Sequence, residues 1–96
     1  MAHFIIEYRQ TGSAETREAH RGEHIAYRKS FGDKMPLTGP LLDDADKPVG
    51  SLIIVEADDK DAATAMASND PYIKLGVLEL VSVRGYRIAA MKPPQT

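Results

Sequence analysis

The chain has 96 residues, 43% of them hydrophobic and 27% charged, with a formal net charge of −2 and no cysteine. That length makes one domain, near the small end of what a single apolar core stabilises alone, so burial against a partner would help it. The composition excludes a disulfide framework and thiolate chemistry and points to a reducing cytoplasm. The 12 basic residues form no block that would neutralise nucleic-acid phosphates, and no window nears the roughly 18 apolar residues of a membrane span.

"HFIIEYR" alternates, with Phe4, Ile6 and Tyr8 on one face and His3, Ile5, Glu7 and Arg9 on the other, which predicts a first strand over residues 2 to 10. A proline-free run from Ser13 to about Phe31 predicts a helix capped by Ser13, weakened in its middle by Gly22 and anchored to the core by Ile25. "MPLTGPLL" carries two prolines and suits an edge strand. "DDADKPVG" is a polar turn, and "SLIIVEA" from Ser51 to Ala57 is a strand with apolar residues on both faces. "DDKDAATAMASND" predicts a second helix with Asp58 or Asp59 as N-cap and Ala62, Ala63, Met66 and Ala67 inward. The last strand begins at Val77, with Val77, Val81 and Val83 expected on one face and Leu78 and Leu80 on the other. Residues from about 90 to 96 read as a tail.

The order β-α-β-β-α-β is the ferredoxin-like arrangement, an α+β fold whose antiparallel sheet carries two helices on one face. Two strands are apolar on the second face as well. A monomer would therefore expose an apolar patch on the order of several hundred Å2, more than soluble monomers usually show, and a homodimer packed sheet to sheet is expected.

His20 and His24 in "HRGEH" are one helical turn apart, but the glutamate of H-E-x-x-H is missing and no third ligand is evident, so no metal is expected. His24, beside Ile25, sits at the edge of the buried stripe and suits proton transfer near neutral pH when a carboxylate orients it. Asp70 is the candidate carboxylate; an Asx turn before Pro71 explains it equally well. No nucleophile elbow, P-loop or dinucleotide fingerprint is present.

Taken together, "RGEHIAY" (21 to 27), "TGPLLDD" (38 to 44), "VGSLIIVEADD" (49 to 59), "NDPY" (69 to 72) and "LGVLELVSVRGY" (75 to 86) resemble the YCII-related (YciI-like) family from end to end. The resemblance implies a dimeric α+β barrel of ferredoxin-like subunits, with an active-site cleft centred on His24 and Asp70. It implies that Pro71 stops the second helix and turns Asp70 into the cleft, with Tyr72 in its wall and Ile73 and Leu75 buried behind. Arg28 stands where the family usually has a large apolar residue. It either lines the groove and favours an anionic ligand, or snorkels to solvent.

The expected function is cofactor-free acid–base chemistry on a small organic acid or aromatic breakdown product: isomerisation, lactone chemistry or elimination of HCl. His24 would be the general base or acid, Asp70 its orienting partner, and Arg21 or Arg28 the partner of a substrate carboxylate. Ser51, Gly39, Pro40 and Tyr72 would line the pocket. The alternative is a non-catalytic small-molecule-binding or accessory dimer using the same pocket. A cofactor-free oxygenase is a weaker reading, because tryptophan is absent and no second polar dyad is visible.

Overall fold

The computed structural model describes residues 2–92; the expected tail beyond Lys92 lies outside the described residues. The elements are β1 (Ala2–Gln10), α1 (Ala14–Ala19), α2 (Arg21–Lys29), a 3-10 turn (Gly32–Lys34), β2 (Leu37–Leu42), β3 (Pro48–Ala57), α3 (Lys60–Ser68), α4 (Pro71–Lys74) and β4 (Leu78–Tyr86). The four strands form one sheet in the order β2-β3-β1-β4, every neighbouring pair antiparallel. This is the ferredoxin-like α+β arrangement that the element order predicts.

β1 pairs Ile6 with Ile53 on one side and Val83 on the other, and these three side chains share the buried face. Phe4, Tyr8 and Val55 extend that face along the central strands. α3 closes over it through Ala63 and Ala67, both 0% exposed; such small residues let a helix backbone approach the sheet closely. Asp59 caps α3, its Oδ1 accepting from Ala62 N–H at 2.8 Å. Ser13 caps α1 through Thr16 N–H at 3.1 Å.

The long helix expected from Ser13 to Phe31 is two helices. They meet at His20, which ends α1 and begins α2, two residues before Gly22. Neither helix buries a residue fully, so packing does not hold the junction straight against the low helix propensity of glycine. Ile25 is also not the core anchor expected of it, being 37% exposed and turned to a cavity mouth.

The last strand departs from simple alternation. Glu7 pairs with Ser82 but Tyr8 pairs with Leu80, which leaves Val81 as the extra residue of a β-bulge. The bulge puts Leu80 and Val83 on the helix-covered side, one part-buried and one buried, and leaves Val81 50% exposed. A strict alternation of Val77, Val81 and Val83 against Leu78 and Leu80 is therefore corrected.

The opposite sheet face is uncovered by helices. It carries Ile5, Leu52 and Ile54 on the central strands, Leu37 paired with Ile54 on β2, and Tyr86 paired with His3 on β4. Leu37 is 46% and Tyr86 43% exposed.

β3 starts earlier than the sequence suggests, at Pro48, because the loop before it is closed by Asp43, whose Oδ1 accepts from Ala45 N–H and Lys47 N–H. Within β3, Gly50 lies so close to β1 that a Cβ there would sit 2.3 Å from the Tyr8 carbonyl oxygen. Backbone cannot yield as a flexible side chain does, so Gly50→Ala is expected to cost about 1–3 kcal/mol. A Cβ at Gly22 meets nothing within 4 Å, and Gly22→Ala in its helix should instead gain roughly 0.5–1 kcal/mol. Urea denaturation of the two variants checks the contrast.

Candidate active site

Asp70 stands between α3 and α4, in extended backbone before Pro71, the conformation that a following proline imposes. Pro71 occupies the first turn of α4, where its missing N–H costs nothing, and Asp70 caps that helix by accepting from Tyr72 N–H at 2.9 Å. Pro71 thus begins a new short helix, whereas α3 has already ended at Ser68. In the turn that follows, Ile73 packs against the core, but Leu75 is 39% exposed rather than buried.

The oxygen that caps α4, Asp70 Oδ1, also lies 2.8 Å from His24 Nδ1 on α2. The carboxylate is 1% exposed and the imidazole 13%. Tyr72 stacks flat on the His24 ring, with centroids 4.0 Å apart and planes 3° from parallel. Its hydroxyl donates to the Arg17 carbonyl at 2.6 Å, tying α4 to α1. The ring of His24 is therefore held at its edge by a carboxylate and across its face by an aromatic plane.

Arg28, one turn beyond His24, turns inward. Its Nε donates to Asp70 Oδ2 at 3.3 Å and its Nη1 to Ser51 Oγ at 3.0 Å, while its guanidinium carbon lies 5.2 Å from the centre of the Tyr8 ring. Of the two positions open for Arg28 from the sequence, groove and solvent, the structure has the groove. The side chain is nevertheless engaged by Asp70, and its Nη2 is buried with no hydrogen-bond partner. Burial pushes the hydroxyl of Tyr8 beneath it well above the ordinary tyrosine value, a shift that the Arg28 charge partly opposes. Burial also raises Tyr72 and Tyr27 above theirs.

An open cavity of about 660 Å3 lies between α1 and α2 on one side and β2 and β3 on the other. His24, Arg21, Arg28, Gly39, Pro40, Ser51 and Tyr72 all line it, so the structure brings the sequence-selected residues other than Asp70 to one surface. Asp70 lies behind His24. Arg17, Lys29, Gly50 and Leu78 are among the lining positions that were not anticipated. Lys29 carried a readable signal, since it lies four residues after Ile25 and one turn of helix puts both on the same face. No group of three or more His, Cys, Asp or Glu side chains among the described residues comes together as a metal site.

The hydrogen bonds fix what the imidazole can do. Asp70 Oδ1 can only accept, so His24 Nδ1 carries the proton, and in the neutral ring Nε2 is left as an acceptor. Nε2 has no hydrogen-bond partner among the described residues. Such a ring can take a proton at Nε2 and return it, with the adjacent carboxylate stabilising the imidazolium formed in between.

Comparison with known proteins agrees with this arrangement in fold and extent. The chain is 33% identical over 95 residues to Protein YciI of Escherichia coli O6:H1, covering 91% of this chain and 97% of the relative. Protein YciI of Shigella flexneri matches with the same identity and coverage. Among solved structures it is similar to the 5-chloro-2-hydroxyhydroquinone dehydrochlorinase TftG of Burkholderia phenoliruptrix AC1100 in complex with 2,5-dihydroxybenzoquinone. The TM-score is 0.66 and the identity 29%, with 91% of this chain and 92% of that one covered. The model of the YCII-related domain matches residues 1–87, and the chain belongs to that family.

Proposed function

We propose that this protein is a cofactor-free enzyme in which His24 moves a proton on a small organic acid or aromatic breakdown product. One observation carries the reading: His24 Nδ1 is fixed 2.8 Å from a buried carboxylate while the imidazole lines a cavity of substrate size. In an isomerisation, Nε2 takes a proton from one carbon and the imidazolium returns it to another. In an elimination, the electron pair left by the departing proton expels chloride, and the proton stays on Nε2 until solvent removes it. Similarity to a dehydrochlorinase that binds a dihydroxybenzoquinone supports an aromatic substrate and makes chlorinated hydroquinones the first compounds to assay.

Turnover of such a compound should fall by about 10²–10⁴-fold in His24→Ala, the usual contribution of a positioned acid–base group. Binding of the same compound should change little. If wild type binds chlorinated hydroquinones and releases no chloride from any of them, elimination is wrong for this chain. If candidate carbon acids also fail to exchange their protons with solvent, the protein is a binding dimer. We further propose that two copies pack through the open sheet faces in the cytoplasm, which would cover Leu37 and Tyr86.

A further inference from the structure

The cavity differs in charge from the rest of the chain. The whole sequence has 12 basic and 14 acidic residues, yet the wall presents Arg17, Arg21, Arg28 and Lys29 against the single carboxylate of Glu18. Two of these cations are already engaged. Arg28 faces Asp70 and Ser51, and Arg17 Nη1 donates to the Thr11 carbonyl at 2.6 Å. The unpartnered Nη2 of Arg28 is sealed from the cavity, since it is buried. Arg21 and Lys29 are different: both are exposed, and neither has a hydrogen bond or ion pair through its side chain among the described residues.

These two lie eight residues apart on α2, about 12 Å along its axis, with His24 between them. Ile25, Pro40 and Leu78 add apolar surface to the same wall. A ligand with an apolar body would rest there and leave its polar group at the mouth, beside cations that have no other partner.

We propose that Arg21 and Lys29 form the acid-recognising rim of the cavity, so that it selects small organic anions over neutral molecules of the same shape, while Arg28 is withheld from the ligand by Asp70. The inference rests on the reading above for the choice of cavity, but it concerns binding and does not need the dyad to turn over. Opposite charge in a cleft raises both the local concentration and the residence of an anion.

Benzoate and benzamide, nearly equal in shape and different in charge, are suitable probes, titrated into 15N-labelled protein and followed by amide shifts. Wild type should bind benzoate about tenfold more tightly than benzamide, the scale of one partly solvated charge-assisted contact. Arg21→Gln with Lys29→Gln, both at exposed positions that leave folding intact, should reduce that preference below about twofold. Raising NaCl from about 0.02 to 0.5 M should shrink it in wild type. His24→Gln should keep the preference even where it abolishes turnover, which separates this inference from the proton-transfer reading. Equal binding of the two probes, or no benzoate shifts at cavity amides, would overturn the proposal. So would a preference that survives the double substitution and disappears in Arg28→Leu, because the acid group would then lie inside.

Discussion

Alanine at position 70 is expected to remove about 3–5 kcal/mol of folding stability, the cost of breaking a buried ion pair by deleting one partner. Asp70 is 1% exposed and satisfies His24, Arg28 and the Tyr72 amide at once. Its loss leaves the Arg28 guanidinium in the interior with no opposite charge, uncaps α4, and frees the His24 ring to rotate. The unpaired cation is the largest of these effects. Adding Arg28→Leu to Asp70→Ala should therefore restore part of the lost stability, even though it deletes a further side chain. Asp70→Asn should be milder, since an amide oxygen can still cap α4. Urea midpoints of the two single variants and the double variant measure all of this. A loss below about 1 kcal/mol in Asp70→Ala would show that the pair is not the buried, mutually dependent unit described above.

Aspartate at Ile53 and at Ile54 should fail in two different ways. Ile53 is 1% exposed on the helix-covered face, beside Ile6 of the neighbouring strand, and a carboxylate there has neither water nor a partner. The cost of several kcal/mol is a large share of the roughly 5–15 kcal/mol that holds a domain together, so Ile53→Asp should be mostly unfolded by circular dichroism. Ile54 faces the open side, beside Leu37 and Ile5. Ile54 is already only 8% exposed in the single chain, so aspartate there loses packing with its sheet neighbours and, within a sheet-to-sheet interface, what access to water it has left. Ile54→Asp should lose less stability than Ile53→Asp and should sediment as a monomer, where wild type should sediment as a dimer. A wild type that sediments as a folded monomer at micromolar concentration removes the dimer and leaves the fold untouched.

The parts of this molecule that follow from local rules were legible in its sequence. Alternation placed Phe4, Ile6 and Tyr8 on the inner face of β1, and small residues at helical spacing placed Ala63 and Ala67 against the sheet. The parts that were not legible depend on what lies opposite. Nothing in "VLELVSV" marks Val81 as an extra residue, because a bulge is defined by its partner strand, here the step from Glu7 to Tyr8. Ile25 has the side chain of a core residue, and only the position of β2 and β3 turns it toward a cavity. The adjacency of His24 to Asp70 came from resemblance, since 46 residues of chain separate them and no spacing rule spans that distance. Arg28 was the subtlest case. Helical spacing put it beside His24 and left groove and solvent both open, because its engagement by Asp70 and Ser51 depends on β3 and on the turn before α4.

One oxygen, Asp70 Oδ1, receives both the amide hydrogen of Tyr72 and the imidazole of His24. A backbone position is thereby wired to the chemistry. A carboxylate that swings away from His24 Nδ1 also leaves the Tyr72 amide, while fraying of α4 frees the amide alone. The hydrogen-exchange rate of that amide therefore sets an upper limit on how often the resting protein loses its poised imidazole, and it can be read without knowing any substrate. A molecule that docks against the intact arrangement should slow that exchange, which gives each compound in a blind screen a signal tied to one atom of the site.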